Sequence, residues 1–121
     1  MYPYLVLRNT GTETCTLTGY PGVSFVGDDN GTQLGASAGR EGEDPARTVT
    51  LEPGGAAHSA LRIVNVGNFD ASACSPTQAD GLRVYPPDQT EAIFVRTSDY
   101  TACADPDTSI ISVQAFAPGE S

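Results

Sequence analysis

Apolar and polar residues trade places at every second position in several short runs of this chain, and glycine or proline ends most of them. Residues 47–52 (RTVTLE) alternate cleanly, which turns Val49 and Leu51 to one side. Residues 56–66 form the longest run. One parity carries Ala57, Ser59, Leu61 and Ile63; the other carries His58, Ala60, Arg62 and Val64. The first set is expected to face a core, and the side with His58 and Arg62 to face water. Residues 14–18 (TCTLT) put threonines on one side and Cys15 and Leu17 on the other, as a half-buried strand does. Shorter runs at 4–8, 23–26, 82–85, 91–96 and 110–116 also read as strands, and 33–36 as the return of a hairpin.

The connections carry turn chemistry. Asn9-Thr10-Gly11 stops the first run, and Gly19-Tyr20-Pro21-Gly22 makes a corner, because proline fixes φ and removes a donor while glycine reaches positive φ. Asp28-Asp29-Asn30-Gly31 is a hairpin turn. Pro53-Gly54-Gly55 and Pro86-Pro87-Asp88-Gln89 are further turns. Residues 37–46 read as a mobile acidic loop, 67–81 as a polar loop holding Cys74, and 98–108 as a second polar loop holding Cys103. The tail at 118–121 is expected to fray. No segment sustains a 3.6-residue period. Many short strands with nine prolines and thirteen glycines between them predict an all-β fold. The expected architecture is an immunoglobulin-like antiparallel β-sandwich of about seven or eight strands, without the tryptophan of antibody-type domains.

Length and charge narrow the function. The 121 residues suffice for one core, so 1–121 is read as a single domain. The net charge is −9, and all six basic residues are arginines spread along the chain. No basic patch exists to neutralise phosphates, which argues against nucleic acid and against anionic membrane surfaces. No apolar run approaches the length of a membrane helix, so membrane insertion by this segment is not expected. The acidic residues gather in loops, where they form a solvated surface. The lack of lysine amid abundant Ala, Gly, Pro, Arg and Thr suggests a GC-rich bacterial genome.

Three cysteines stand at 15, 74 and 103, with a single histidine at 58. That set is too small for a usual zinc site. A loop-rich chain with cysteines fits an oxidising compartment. Strands 82–85 and 91–96 form a hairpin about the Pro86–Gln89 turn, and Cys74 and Cys103 lie at similar distances on either side of it. An antiparallel hairpin carries both to one end of the sheet. This favours a Cys74–Cys103 disulfide over Cys15–Cys74 and Cys15–Cys103. Cys15 is then left over: buried, bridged to another chain, or separated from a partner that lies outside the chain. Met1 runs directly into the strand-like residues 2–7, so the chain is expected to lack a native N-terminal signal or anchor segment.

The string NTGTETCTLTGYPGVSFVGDDNGTQLG, then VTLEPGGAAHSAL and LRVYPPDQTEA, resembles the actinobacterial secreted-protein family called domain of unknown function 4232. The similarity runs from Tyr4 to Val113, and the motifs N-T-G-x-x-x-C-x-L-x-G-Y-P-G-V and L-x-P-G-G-x-A are specific in combination. The resemblance implies export, as a secreted protein, a lipoprotein or a membrane-tethered one. It also implies a further cysteine upstream, which this chain lacks, as the partner of Cys15. It transfers no catalytic residue.

Candidate chemistry is sparse. A Ser-His-Asp arrangement would need His58 beside a serine, yet Ser59 is on the opposite parity of its strand. A blue-copper site needs two histidines and a cysteine. Asp28, Asp29 and Asn30 could lend oxygens to calcium, but the twelfth position of such a loop is Gly39 rather than an acid. Tyr2, Tyr4, Tyr20, Tyr85 and Tyr100 could line a carbohydrate or peptide patch, though packing at the core margin is the simpler account. No cofactor and no enzymatic activity are expected. The expected role is a non-catalytic binding or adhesion module, secreted or anchored at the cell envelope, with an unknown protein or carbohydrate partner. The alternative is a structural protein that self-associates through a sheet edge or Cys15. The chain itself is expected to be a monomer or a weak homodimer.

Overall fold

The computed structural model describes residues 2–41, 47–87 and 91–120. Residues 42–46, in the expected acidic loop, and 88–90, in the turn after Pro87, lie outside the described residues. In chain order the strands are β1 (Tyr4–Arg8), β2 (Cys15–Thr18), β3 (Gly22–Gly27), β4 (Thr32–Leu34), β5 (Gly39–Arg40), β6 (Thr48–Leu51) and β7 (Ala56–Ile63). Next come a 3₁₀ turn (Val66–Asn68), the single-turn helix α1 (Ala71–Cys74), β8 (Pro76–Gln78), β9 (Gly81–Tyr85) and β10 (Ile93–Arg96). The chain closes with β11 (Thr101–Cys103), β12 (Ile111–Val113) and β13 (Ala117–Pro118).

The result is an all-β sandwich. One sheet runs β1-β7-β12-β5, with β13 also on β7; the other runs β10-β9-β3-β4. Two ribbons, β2-β6 and β8-β11, stand beside them. Between the sheets, Val23, Phe25, Leu82 and Val84 meet Leu61, Ile63, Ile111 and Val113, all buried. A smaller cluster of Val49, Leu51, Ala57 and Phe116 lies under the β2-β6 ribbon, with Leu5, Leu7 and Leu17 packed on it.

The alternation in β7 decides its faces. Ala57, Ser59, Leu61 and Ile63 are buried. Ser59 is satisfied because its hydroxyl donates to the Gln114 carbonyl at 2.6 Å. On the other face Arg62 is exposed, but His58 is only half-exposed. The Tyr4 ring stands edge-on to it at 5.2 Å, and the Gly119 carbonyl lies 3.1 Å from Nδ1. His58 therefore does not simply face water as its parity predicts.

Other expectations need correction. The 67–81 loop contains α1 and β8, and the 98–108 loop contains β11, which pairs with β8. The loop after residue 36 contributes β5, and β5 pairs parallel to β12, so the sheets are not purely antiparallel. The tail does not fray at its start. Pro118 pairs with Ala57, Gly119 N–H donates to the Ala56 carbonyl at 2.9 Å, and Arg8 pairs with Glu120. Between β12 and β13 the pairing on β7 slips by one residue, from Val113 opposite Leu61 to Ala117 opposite His58. Such a bulge reverses parity, and it turns Phe116 into the core.

Candidate functional site

β10 is poorly covered for its length. All four of its residues are exposed. Ile93 is 45%, Phe94 48% and Val95 37% accessible. Three consecutive accessible apolar residues on a strand are unusual, because a strand at a sandwich edge still has one face toward the core. The register explains the exposure. Ile93 opposes Val84 and Val95 opposes Leu82, so both share the parity of the core residues. At this margin, however, the opposite sheet does not cover them.

The backbone of β10 also has an open side. On the far side of β3 from β9, Ala38 N–H donates to the Val23 carbonyl at 2.8 Å. Antiparallel ladders alternate, so Ser24 and Arg83 bond each other, while Leu82 and Val84 turn toward β10. Ile93 and Val95 are then used by β9, and Thr97 continues the pattern by donating to the Asp80 carbonyl at 3.1 Å. The N–H and C=O groups of Phe94 and Arg96 point away from the sheet. Among the described residues no strand lies beyond β10.

A groove of about 410 Å³ opens at the start of this strand, lined by Leu7, Leu17, Leu51, Pro86 and Ile93 among others. Cys15 also lines it, opposite Leu51 in the β2-β6 ribbon. Its thiol is free and exposed, so the account of Cys15 as a buried residue fails. The structure brings Cys74 and Cys103 together in a disulfide, with their Cα atoms 4.7 Å apart. The β8-β11 pairing, which sets Cys103 opposite Pro76, delivers them to each other, and both are fully buried.

The remaining candidates are scattered. His58 and Ser59 lie on opposite faces of β7, and the Ser59 hydroxyl is engaged by Gln114. In the Asp28–Gly31 hairpin, Asp28 and Asp29 have φ of 60° and 56°, and Asp29 N–H donates to an Asp80 carboxylate oxygen at 2.8 Å. Asn30 Oδ1 accepts from the N–H and hydroxyl of Thr32. These bonds build a turn. Among the described residues, no three His, Cys, Asp or Glu side chains gather as a metal site would need. Tyr20 and Tyr100 pack against the main core. Tyr2, Tyr4 and Tyr85 are exposed, the first two at one end of β1 and the third on β9 next to β10, so the five do not form one patch.

The sequence pattern of one family, described as a domain of unknown function, matches residues 1–117. The chain belongs to the domain of unknown function 4232 family. The 4232 match takes in both sheets, the disulfide, Cys15 and β10. The family description carries no activity, so it adds no residue role to the geometry. No curated protein and no solved structure matches the chain.

Sequence reading missed the β10 edge. The signal was present: Ala92-Ile93-Phe94-Val95 is apolar at every position, whereas β6 and β7 alternate. A fully apolar run is equally consistent with a strand buried on both faces, and only the neighbours decide between the two.

Proposed function

We propose that this 4232-family domain is a non-catalytic binding module whose binding element is the open margin formed by β10 and the adjacent groove. Its ligand is an extended polypeptide segment that adds to the sheet. The observation that carries this reading is the run Ile93-Phe94-Val95, accessible on both faces at an edge beyond which no strand lies among the described residues. Strand addition uses such features in a fixed way: main-chain hydrogen bonds supply affinity, and alternate side chains find pockets. Here the incoming chain would bond to Phe94 and Arg96 and set every second side chain toward the groove. The buried disulfide weakly favours an oxidising, extracytoplasmic setting, in keeping with a protein that is exported or held at the cell envelope. No helix among the described residues is long and apolar enough to cross a membrane.

Hydrogen exchange on the amides of β10 tests this. An alternating threonine–valine peptide should slow exchange at Phe94 and Arg96 and leave Ile93 and Val95, already paired with β9, unchanged. No change at Phe94 and Arg96 at saturating peptide would overturn the reading.

A second reading is a structural role in which copies join through this margin. Cys15 favours it: an exposed thiol on the rim of the same groove is placed to bridge whatever docks there.

A further inference from the structure

We infer that the outer face of the other sheet carries a saccharide site, centred on Ala60 between Tyr4 and Gln114, that takes one ring of a neutral glycan. It lies on the β1-β7-β12-β5 sheet and is independent of β10.

The first argument is how the sheet builds a hollow. Tyr4 opposes Ala60 across β1 and β7, and Gln114 N–H donates to the Ala60 carbonyl at 3.0 Å from the other side. Leu61 N–H donates to the Pro3 carbonyl at 2.9 Å, which continues the β1-β7 register past Tyr4 and sets Tyr2 opposite Arg62. Tyr2, Tyr4, Ala60, Arg62 and Gln114 thus share the face opposite to buried Leu61. Ala60 is the small residue among them. Its methyl group leaves a hollow of about 300 Å³, walled by Tyr2, Tyr4, Glu41, Arg62 and Gln114. Sites for small molecules begin at that size.

The second argument is the chemistry of the walls. Tyr2 is 75% and Tyr4 54% accessible. An aromatic face is electron-rich, and the polarised C–H groups on the flat side of a pyranose ring lie favourably against it. Three planar polar groups stand around the rings. Arg62 only donates, Glu41 only accepts and the Gln114 amide does both, which is what neighbouring sugar hydroxyls require. Among the described residues, the Gln114 amide and the two tyrosine hydroxyls have no hydrogen-bond partner in the protein, so they are open to a ligand.

The third argument is charge. Arg62 Nη1 stands 3.5 Å from Glu41 Oε1, so the two charges of the site cancel. Such a site offers no net attraction to an ion, and a chain of net charge −9 repels acidic glycans. A purely apolar ligand would strip water from Arg62, Glu41 and Gln114 without replacing its hydrogen bonds. A neutral polyhydroxyl ring meets both conditions.

The fourth argument is preorganisation. The His58 ring stands edge-on to Tyr4 at 5.2 Å, and His58 Nδ1 lies 3.1 Å from the Gly119 carbonyl oxygen. His58 does not line the hollow, so it braces the Tyr4 ring from behind. Little side-chain freedom is then lost when a sugar docks.

The experiment is an amide NMR titration of the whole chain with cellohexaose, chitohexaose, mannohexaose and maltohexaose, each at low and high salt. At least one is expected to shift the backbone amides of Ala60 and Arg62 and the side-chain amide of Gln114, to saturate in the millimolar range, and to leave Phe94 and Arg96 in place. Its affinity should not change with salt, because no net charge is neutralised. Ala60→Leu fills the hollow and removes no polar group; it should weaken binding by about tenfold or more, and Tyr4→Ala by a similar factor. Tyr4→Phe keeps the ring and should hold the affinity within about threefold. If either of the first two variants fails to fold, Tyr2→Ala, at a more exposed position, replaces it and should also weaken binding. The proposal is overturned if none of the four sugars shifts these groups, if the shifts survive the variants that fill the hollow or remove a ring, or if binding falls as salt rises. Shifts confined to Phe94 and Arg96 overturn it as well, because they place the sugar on the other sheet.

Discussion

The ring of Phe94 lies over Gly81. A Cβ atom built at residue 81 would stand 2.9 Å from Phe94 Cζ and would collide with the Val95 carbonyl. The edge strand is thus seated on its neighbour through a position that only glycine can occupy, and the aromatic ring covers the backbone that glycine leaves bare. Gly81→Ala should force β10 away from β9 and cost about 1–3 kcal/mol, the usual range for overpacking. Urea denaturation reads the loss, and faster exchange at Ile93 and Val95 shows that the strand itself has moved. Unchanged exchange at those two amides would mean that β10 is not held through residue 81.

The Cys74–Cys103 bridge closes 29 residues of chain. In the chain-entropy model it contributes about 3.5 kcal/mol, much of the stability of a domain this size. Replacing both cysteines by alanine should lower the denaturation midpoint accordingly, and dithiothreitol should destabilise the native chain but leave the double variant unaffected. A variant as stable as the parent would show that the β8-β11 ribbon holds without its bridge.

Gly35 sits at φ +78°, where a Cβ would stand 2.6 Å from the Cys103 carbonyl oxygen and 2.7 Å from that of Thr108. Gly35→Ala meets backbone on two sides and adopts a conformation that L-residues avoid, so a loss of about 1–3 kcal/mol is expected. Gly39 has nothing within 4 Å of its Cβ position and serves as the control; Gly39→Ala should change the midpoint little.

Phe116 reaches the smaller core through the one-residue slip between β12 and β13. Phe116→Ala should cost about 3–5 kcal/mol, as large-to-small core substitutions do. Thermal melting of the variant checks the value. A change below that of an exposed residue would place β13 off the sheet.

Cys15 should react with iodoacetamide in the folded, non-reduced protein, adding one label by mass, while the two buried, bridged cysteines take none. Labelling should also be slowed by whatever fills the groove it lines. A chain that takes no label while folded would place the thiol inside the structure.

Local chemistry settled much of this protein. Alternation in β6 and β7 sorted Val49, Leu51, Leu61 and Ile63 inward, because a strand's side-chain period is two wherever it is extended. The Asp28–Gly31 string made a hairpin because those residues accept positive φ. The Cys74–Cys103 pairing followed from one hairpin and the spacing on either side of it. Features set by partners distant in sequence were not legible. Phe116 turned inward through a slip whose reference is β7, some sixty positions earlier. His58, outward by parity, is half-covered by Tyr4 and the Gly119 tail, which arrive from the two ends of the chain. The Ala92–Val95 run carries the same letters whether it lies in the middle of a sheet or at its margin. Among the described residues no strand covers it, and that is a property of how the sheets close against each other. Local periodicity is written residue by residue, but exposure is decided by what packs opposite, and that depends on the whole chain.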